Sequence, residues 1–246
     1  MQNENYSKVV AITGASSGIG RAIAIELARN GFKVVLGARN LAQLKKVVDE
    51  IVDFGGKAVF SKTDVRDKLD LILLVETAIR HYGKLDVLVN NAGVTELSRI
   101  DELDIEGWEN MIDVNLKGVL YGMAASIPIF KEQKRGHIIN IVSVAGLQVS
   151  PMMGVYAGTK NAVRTIAEAF RQESDGAIRI TGISPGFVKT NLVEGIKNQE
   201  MRDAILENMN KMAISPTDIA ASVMFAINQP DNVEIGDIVI RPAKQN

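Results

Sequence analysis

Short runs rich in β-branched residues alternate with longer amphipathic stretches along all 246 residues, and this alternation narrows the choice of folds more than any other feature. The expected strands are Lys8–Ile12, Lys33–Gly37, Lys57–Lys62, Leu85–Val89, His137–Val142, Ile178–Ile183 and Asp237–Arg241. Several of them (VVAI, VVL, DVLV, IINIV) are apolar almost without a break, as strands must be when helices cover both faces of a parallel sheet. Between them, Ile19–Asn30, Leu41–Phe54 and Lys68–Tyr82 carry helical periodicity. In the last of these, Leu69, Ile72, Leu73, Val75, Ala78 and Ile79 read as one apolar stripe. The expected class is therefore α/β, a doubly wound parallel sheet of about seven strands with helices on both faces. With no linker, repeat or low-complexity tract, residues 1–246 read as one domain. The region around 190–215, rich in Met, Asn and Lys, reads either as a lid over a bound substrate or as an ordinary surface excursion.

Composition removes several classes of function. The 28 basic and 29 acidic residues nearly cancel to a net charge of -1. Basic residues form only doublets such as Lys45-Lys46 and Lys134-Arg135, so no nucleic-acid partner is expected. There is no cysteine, hence no disulfide framework and no thiolate metal site, and no metal is expected. The longest uncharged stretch, Gly118 to Phe130, is too short to span a bilayer and contains Pro128. The opening MQNENYSK lacks the character of a signal peptide, so the expected location is cytoplasmic, with no membrane partner.

The first strand runs into TGASSGIGRAIAIEL, with glycines at 14, 18 and 20 between a strand and a helix. Such a turn lets a pyrophosphate approach backbone amides, and the helix behind it directs its positive end at the phosphates. Gly14, Ser16, Ser17, Gly18, Ile19 and Gly20 are thus candidates for holding a dinucleotide in a Rossmann-type fold. The second strand ends in Ala38-Arg39-Asn40, where an NAD site usually places an acid. A guanidinium there suits a 2′-phosphate, so Arg39, with help from Ser16 or Asn40, points to NADP(H). Asp64 and Val65, at the end of the third strand, are candidates for the adenine edge and face.

Further along stand Asn91-Ala92-Gly93 in VNNAG, Asn115 in DVNLKG, Ser143 in IVSVAG, Tyr156 and Lys160 in YAGTK, and Pro185, Gly186, Val188 and Thr190 in SPGFVKT. With TGASSGIG, this set resembles the short-chain dehydrogenase/reductase family over essentially the whole chain. The resemblance implies an NADP-dependent oxidoreductase acting on CH–OH donors. Tyr156 would be the acid/base, Ser143 the anchor of the substrate oxygen, Lys160 the tuner of the tyrosine and clamp of the nicotinamide ribose, and Asn115 the support of a proton relay. It further implies that Asn91, Ala92 and Gly93 pass the adenosine ribose, and that Pro185, Gly186, Val188 and Thr190 lie by the nicotinamide carboxamide. Chemistry argues alongside it, because a free phenol has a pKa near 10 and an ammonium one helical turn away lowers it toward the working range. His81 and His137 stand outside every matching motif and are not expected to be catalytic.

Beside these motifs lie Val94, Gln148, Val149, Met152, Met153, Phe187 and Leu192, the expected substrate pocket. Most are apolar and none is an arginine, which suits a small uncharged carbonyl or alcohol; an inward Glu96 would repel anions. The ending GDIVIRPAKQN is closer to the family's NADP-dependent 3-hydroxy-acid and small-alcohol dehydrogenases than to its acyl-carrier reductases. A 3-ketoacyl-(acyl-carrier-protein) reductase is the second enzymatic reading. A non-catalytic NADP(H)-sensing binding protein is the reading from another class. The resemblance also implies a homo-oligomer, tetramer or dimer, built through the helix carrying Tyr156 and its neighbour.

Overall fold

A computed structural model describes residues 8–196 and 198–245. Seven strands form one sheet: β1 (Val9–Thr13), β2 (Lys33–Ala38), β3 (Lys57–Lys62), β4 (Val87–Asn90), β5 (Gly136–Ile141), β6 (Ile178–Pro185) and β7 (Asp237–Ile240). Their order is β3-β2-β1-β4-β5-β6-β7, and every pairing is parallel. Consecutive parallel strands need crossovers, which helices supply. These are α1 (Gly18–Arg29), α2 (Leu41–Asp53), α3 (Lys68–Tyr82), α4 (Ile105–Met111), α5 (Gly118–Gln133) and α6 (Gly154–Glu173); α7 (Gln199–Met212) and α8 (Pro216–Ile227) follow β6. The protein is a Rossmann-type α/β fold whose strand order reverses between β1 and β4.

Strand side chains alternate between two cores. Val10 and Ile12 face α1, α2 and α8 with Val34, Leu36 and Val89. Val9 and Ala11 face the other way with Val35, Leu88 and Ile138, under α3, α5 and α6. Fully buried strands on both faces account for the unbroken apolar runs. Strand and helix ends fall within a residue or two of expectation, but the apolar stripe of α3 does not. Leu69 and Leu73 are exposed, and the helix instead buries Leu71, Leu74, Val75 and Ala78. That set also follows the i, i+3, i+4, i+7 pattern, and the packing against β1 and β2 selects it.

Between α4 and α5 the helix widens into a π-helical segment, Ile112–Lys117. Among the described residues no helix is long and apolar enough to cross a membrane.

Candidate active site

A cleft of about 620 Å³ opens along the C-terminal ends of the strands, across the point where the strand order reverses. This is where open parallel sheets bind ligands. Its floor begins at the turn after β1. The Thr13 hydroxyl accepts hydrogen bonds from the amides of Asn91 and Ala92, both at 3.0 Å. In return, the Asn91 side chain donates to the carbonyls of Thr13 (2.9 Å) and Gly14 (3.2 Å). This lacing explains two of the glycines. A Cβ on Gly14 would come within 2.8 Å of Asn91 Nδ2, and one on Gly20 within 2.5 Å of it. Gly14 and Gly20 therefore serve the packing of the turn itself, and Gly20 does not line the cleft. Gly18, at φ +53°, faces Thr190 across the cleft with Ser16, Ser17 and Ile19 around it.

The residues present fit a dinucleotide. Helices α2, α3, α7 and α8 each have their first turn capped by a side chain, from Asn40, Asp67, Asn198 and Ser215. Helix α1, like α6, has no such cap, and its first residues Ser17, Gly18 and Ile19 line the cleft, where its leading amides can take a phosphate. At the adenosine end stand Arg39, Asn40, Asp64 and Val65. Arg39 is exposed, and no carboxylate among the described residues forms an ion pair with it. Asp64 is engaged by Arg66 at 2.6 Å, and that contact, before all else, holds its carboxyl below the ordinary carboxylate range. The Asn40 side chain caps α2 through the Gln43 amide, which reduces what it can offer a phosphate.

At the other end, the structure brings Ser143, Tyr156 and Lys160 together against the segment Pro185, Gly186, Val188 and Thr190. Ser143 ends the β5 run, and its Oγ accepts from the Ala145 amide at 3.1 Å, leaving its O–H to donate. Tyr156 and Lys160 are one turn apart on α6 and both buried, with Lys160 Nζ 5.9 Å from the phenol ring centre. Lys160 Nζ donates to the Ile141 carbonyl at 3.0 Å. Gly93 packs beside this group, where a Cβ would press on Asn115 Oδ1 at 3.3 Å. The expected acidic phenol is not what this arrangement gives. Burial dominates and pushes Tyr156 up, with the Ser143 hydroxyl pulling the other way, while burial brings Lys160 down to about 8. Lys160 Nζ lies over the ring and donates to the Ile141 carbonyl rather than to the phenol oxygen, and desolvation sets the direction for Tyr156.

Asn115 lies in the π-helical segment, fully buried and just outside the cleft surface. Its Oδ1 accepts from the Val94 amide at 2.8 Å and its Nδ2 donates to the Val94 carbonyl at 2.9 Å, so it fixes Val94 at the cleft wall.

On the substrate side, Val94, Gln148, Met153, Phe187 and Leu192 line the cleft. Val149 and Met152 do not. Val149 is 75% exposed, and Met152 adopts φ +69°, which turns it to a separate shallow depression beside Ile100 and Pro151. Glu96 also leaves the cleft, accepting from Asn110 Nδ2 at 2.6 Å. Sequence reasoning missed Val193, Ile196, Ile205 and Met209, which reach the cleft from the region between β6 and α8. It also missed Gln245, which comes from the end of the chain. The apolar spacing of α7 is a signal for Ile205 and Met209; no motif marks Val193, Ile196 or Gln245.

This is a nucleotide-binding cleft of the dehydrogenase type, and comparison with known proteins agrees. The short chain dehydrogenase family profile matches residues 8–201, and the chain belongs to that family. It is an oxidoreductase with a nicotinamide cofactor. An oxidoreductase of Staphylococcus saprophyticus is 44% identical over 248 residues, covering 99% of both chains. Among solved structures, the alcohol dehydrogenase of Thermococcus sibiricus, complexed with 5-hydroxy-NADP, has a TM-score of 0.87 at 30% identity, covering 97% of this chain and 98% of its own. A short chain dehydrogenase/reductase of Burkholderia phymatum, in complex with NAD, has a TM-score of 0.88 at 28% identity, covering 97% and 90%.

Proposed function

We propose that this protein is an NADP(H)-dependent oxidoreductase interconverting a small uncharged alcohol and its ketone or aldehyde. The observation that carries the reading is Tyr156, buried between Ser143 and Lys160 at the inner end of the cleft. A bound nicotinamide would supply the hydride for the carbonyl carbon, or take it back from the alcohol. The protein handles the oxygen. Ser143 donates its hydroxyl to hold it, and Tyr156 delivers the phenolic proton to it as the C–O bond becomes an alcohol. A phenol held protonated by burial is suited to that delivery at neutral pH. Lys160 keeps a positive charge beside the phenolate left behind and holds the ribose hydroxyls, and Asn115 keeps Val94 and the relay in position.

The preference for NADP(H) rests on Arg39, exposed at the adenosine rim with Asp64 turned to Arg66, and the solved Thermococcus alcohol dehydrogenase supports it. The substrate side bears no formal charge among its described lining residues, since Arg39, Asp64 and Lys160 all lie on the cofactor side. This favours an uncharged small alcohol over a hydroxy acid. The segment 190–215 forms part of the substrate wall and serves as its cover; Lys197 within it lies outside the described residues. The cytoplasm and a homo-oligomeric state complete the proposal.

A panel of ketones, aldehydes and alcohols followed by NADPH absorbance tests it, with Tyr156→Phe as the decisive variant. Turnover is expected to fall by roughly 10²-fold or more, with cofactor affinity preserved. Near-native turnover in Tyr156→Phe removes the mechanism.

A further inference from the structure

After β7 the chain does not leave the sheet. The Gly186 amide donates to the Ile240 carbonyl at 2.8 Å, and the tail then turns back, with the Gln245 amide donating to the Pro242 carbonyl at 2.9 Å. The turn brings the Gln245 side chain over Gly186. A Cβ on Gly186 would collide with Gln245 Oε1 and with Arg241 Cβ, so this glycine is the groove in which the tail lies. Gln245 Oε1 accepts from the Phe187 amide at 2.9 Å. On its other side, the Phe187 carbonyl accepts from the Ile214 amide at 3.0 Å. Phe187 is thus pinned between the tail and the end of the segment that covers the cleft.

An N–H faces the Gln245 oxygen, so the carboxamide orientation follows from chemistry: Oε1 toward Phe187, the amino group away from it. That amino group has no hydrogen-bond partner among the described residues, and Gln245 is half-buried in the cleft lining beside Phe187. The substrate side otherwise offers few polar groups, chiefly Gln148, Ser150 and Asn191.

We propose that Gln245 is a specificity-determining residue of the substrate pocket: anchored through Oε1 to Phe187, it donates from Nε2 to an uncharged oxygen of the substrate lying away from the reacting carbon. The proposal rests on the oxidoreductase reading of the cleft. It makes the C-terminal tail part of the pocket and predicts a preference for substrates with a second, neutral acceptor, such as hydroxyketones or diols, over simple ketones.

Two variants separate its parts. Gln245→Ala removes both anchor and donor. Gln245→Glu keeps an oxygen for the Phe187 amide and loses the donor. Hydrogen exchange measured on the protein alone is expected to show Phe187 protection about tenfold lower in Gln245→Ala and retained in Gln245→Glu. In turnover, Gln245→Glu is expected to raise KM for a hydroxyketone about tenfold, with KM for the matching simple ketone and NADPH affinity within twofold of wild type, whereas Gln245→Ala, which also frees the Phe187 wall, is expected to raise KM for both ketones. Unchanged Phe187 protection in Gln245→Ala overturns the inference whether or not the protein turns over. So does wild-type hydroxyketone KM in Gln245→Glu, or a parallel loss for both ketones in that variant, since either reduces the tail to a structural tie. A wild-type protein inactive across the whole panel defeats the oxidoreductase reading instead, and the exchange measurement still judges the anchor.

Discussion

Arg39 and Lys160 sit at opposite ends of one cleft, and each is a cation whose surroundings set what it can do. Arg39 is solvated, so its charge costs nothing to keep and is available to a phosphate. Replacing it with aspartate places a carboxylate where ribose hydroxyls would lie. Arg39→Asp is expected to shift the ratio of NADP(H) to NAD(H) efficiency by roughly 10- to 100-fold toward NAD(H), measured as kcat/KM for the two cofactors. A wild-type protein that already prefers NAD(H) refutes the assignment. Lys160 is the opposite case: burial makes its charge expensive and brings it down to about 8. The ammonium is present below that pH and is lost as pH rises through it, so cofactor affinity of the free protein is expected to weaken above about pH 8. Titration of NADPH binding from pH 6 to 10 reads this, and Lys160→Met is expected to bind more weakly with a flat profile. The residues gathered around Tyr156 were legible in sequence because each sits in a short local motif. Their energetics were not, because the depth of burial around Tyr156 is contributed by Leu97, Val193 and Ile196, far away in the chain.

Elements were legible where local pattern and tertiary demand agree. Strands flanked by helices on both sides must be apolar throughout, and they read that way. Helix α3 carries two apolar stripes in one sequence, and only contact with the sheet decides which turns inward, so its face could not be chosen from periodicity alone. The loop before α6 shows the same limit, since the left-handed turn at Met152 carries its side chain out of the cleft despite its place next to the motif. Exposed apolar side chains are left over along α4, the π-helical segment and α5, with Ile105 at 50%, Ile112 at 39% and Leu120 at 38%. Of these, α4 and the π-helical segment neighbour α6, the helix named for assembly, and a second copy of the chain is the proposed cover. Light scattering is expected to show a dimer or tetramer for the wild type and a smaller species for Leu120→Glu. A monomeric wild type ends this reading.

At the scale of the molecule, a parallel sheet has two unlike rims. Strand ends at one rim form the cleft, and strand beginnings at the other carry Lys8, Asp86, His137 and Arg179. His137 is buried there, its Nε2 2.8 Å from the Thr181 hydroxyl, which itself donates to the Ile235 carbonyl. Its pKa is lowered from 6.5 to about 3, first by desolvation and then by Arg179 and Lys8. Below pH 6.5 the unfolded chain takes up a proton that the folded chain refuses, so folding stability is full above 6.5 and declines down to about pH 3. The slope from this group is about 1.4 kcal/mol per pH unit. Thermal melts between pH 7 and 4 are expected to show the decline in the wild type and a shallower one in His137→Gln. Equal slopes place the acid sensitivity elsewhere.

Six-residue strands separate those two rims by roughly 20 Å. Hardening this protein against acid and retuning its choice of substrate are therefore two independent engineering problems, open to separate libraries whose gains should add when combined.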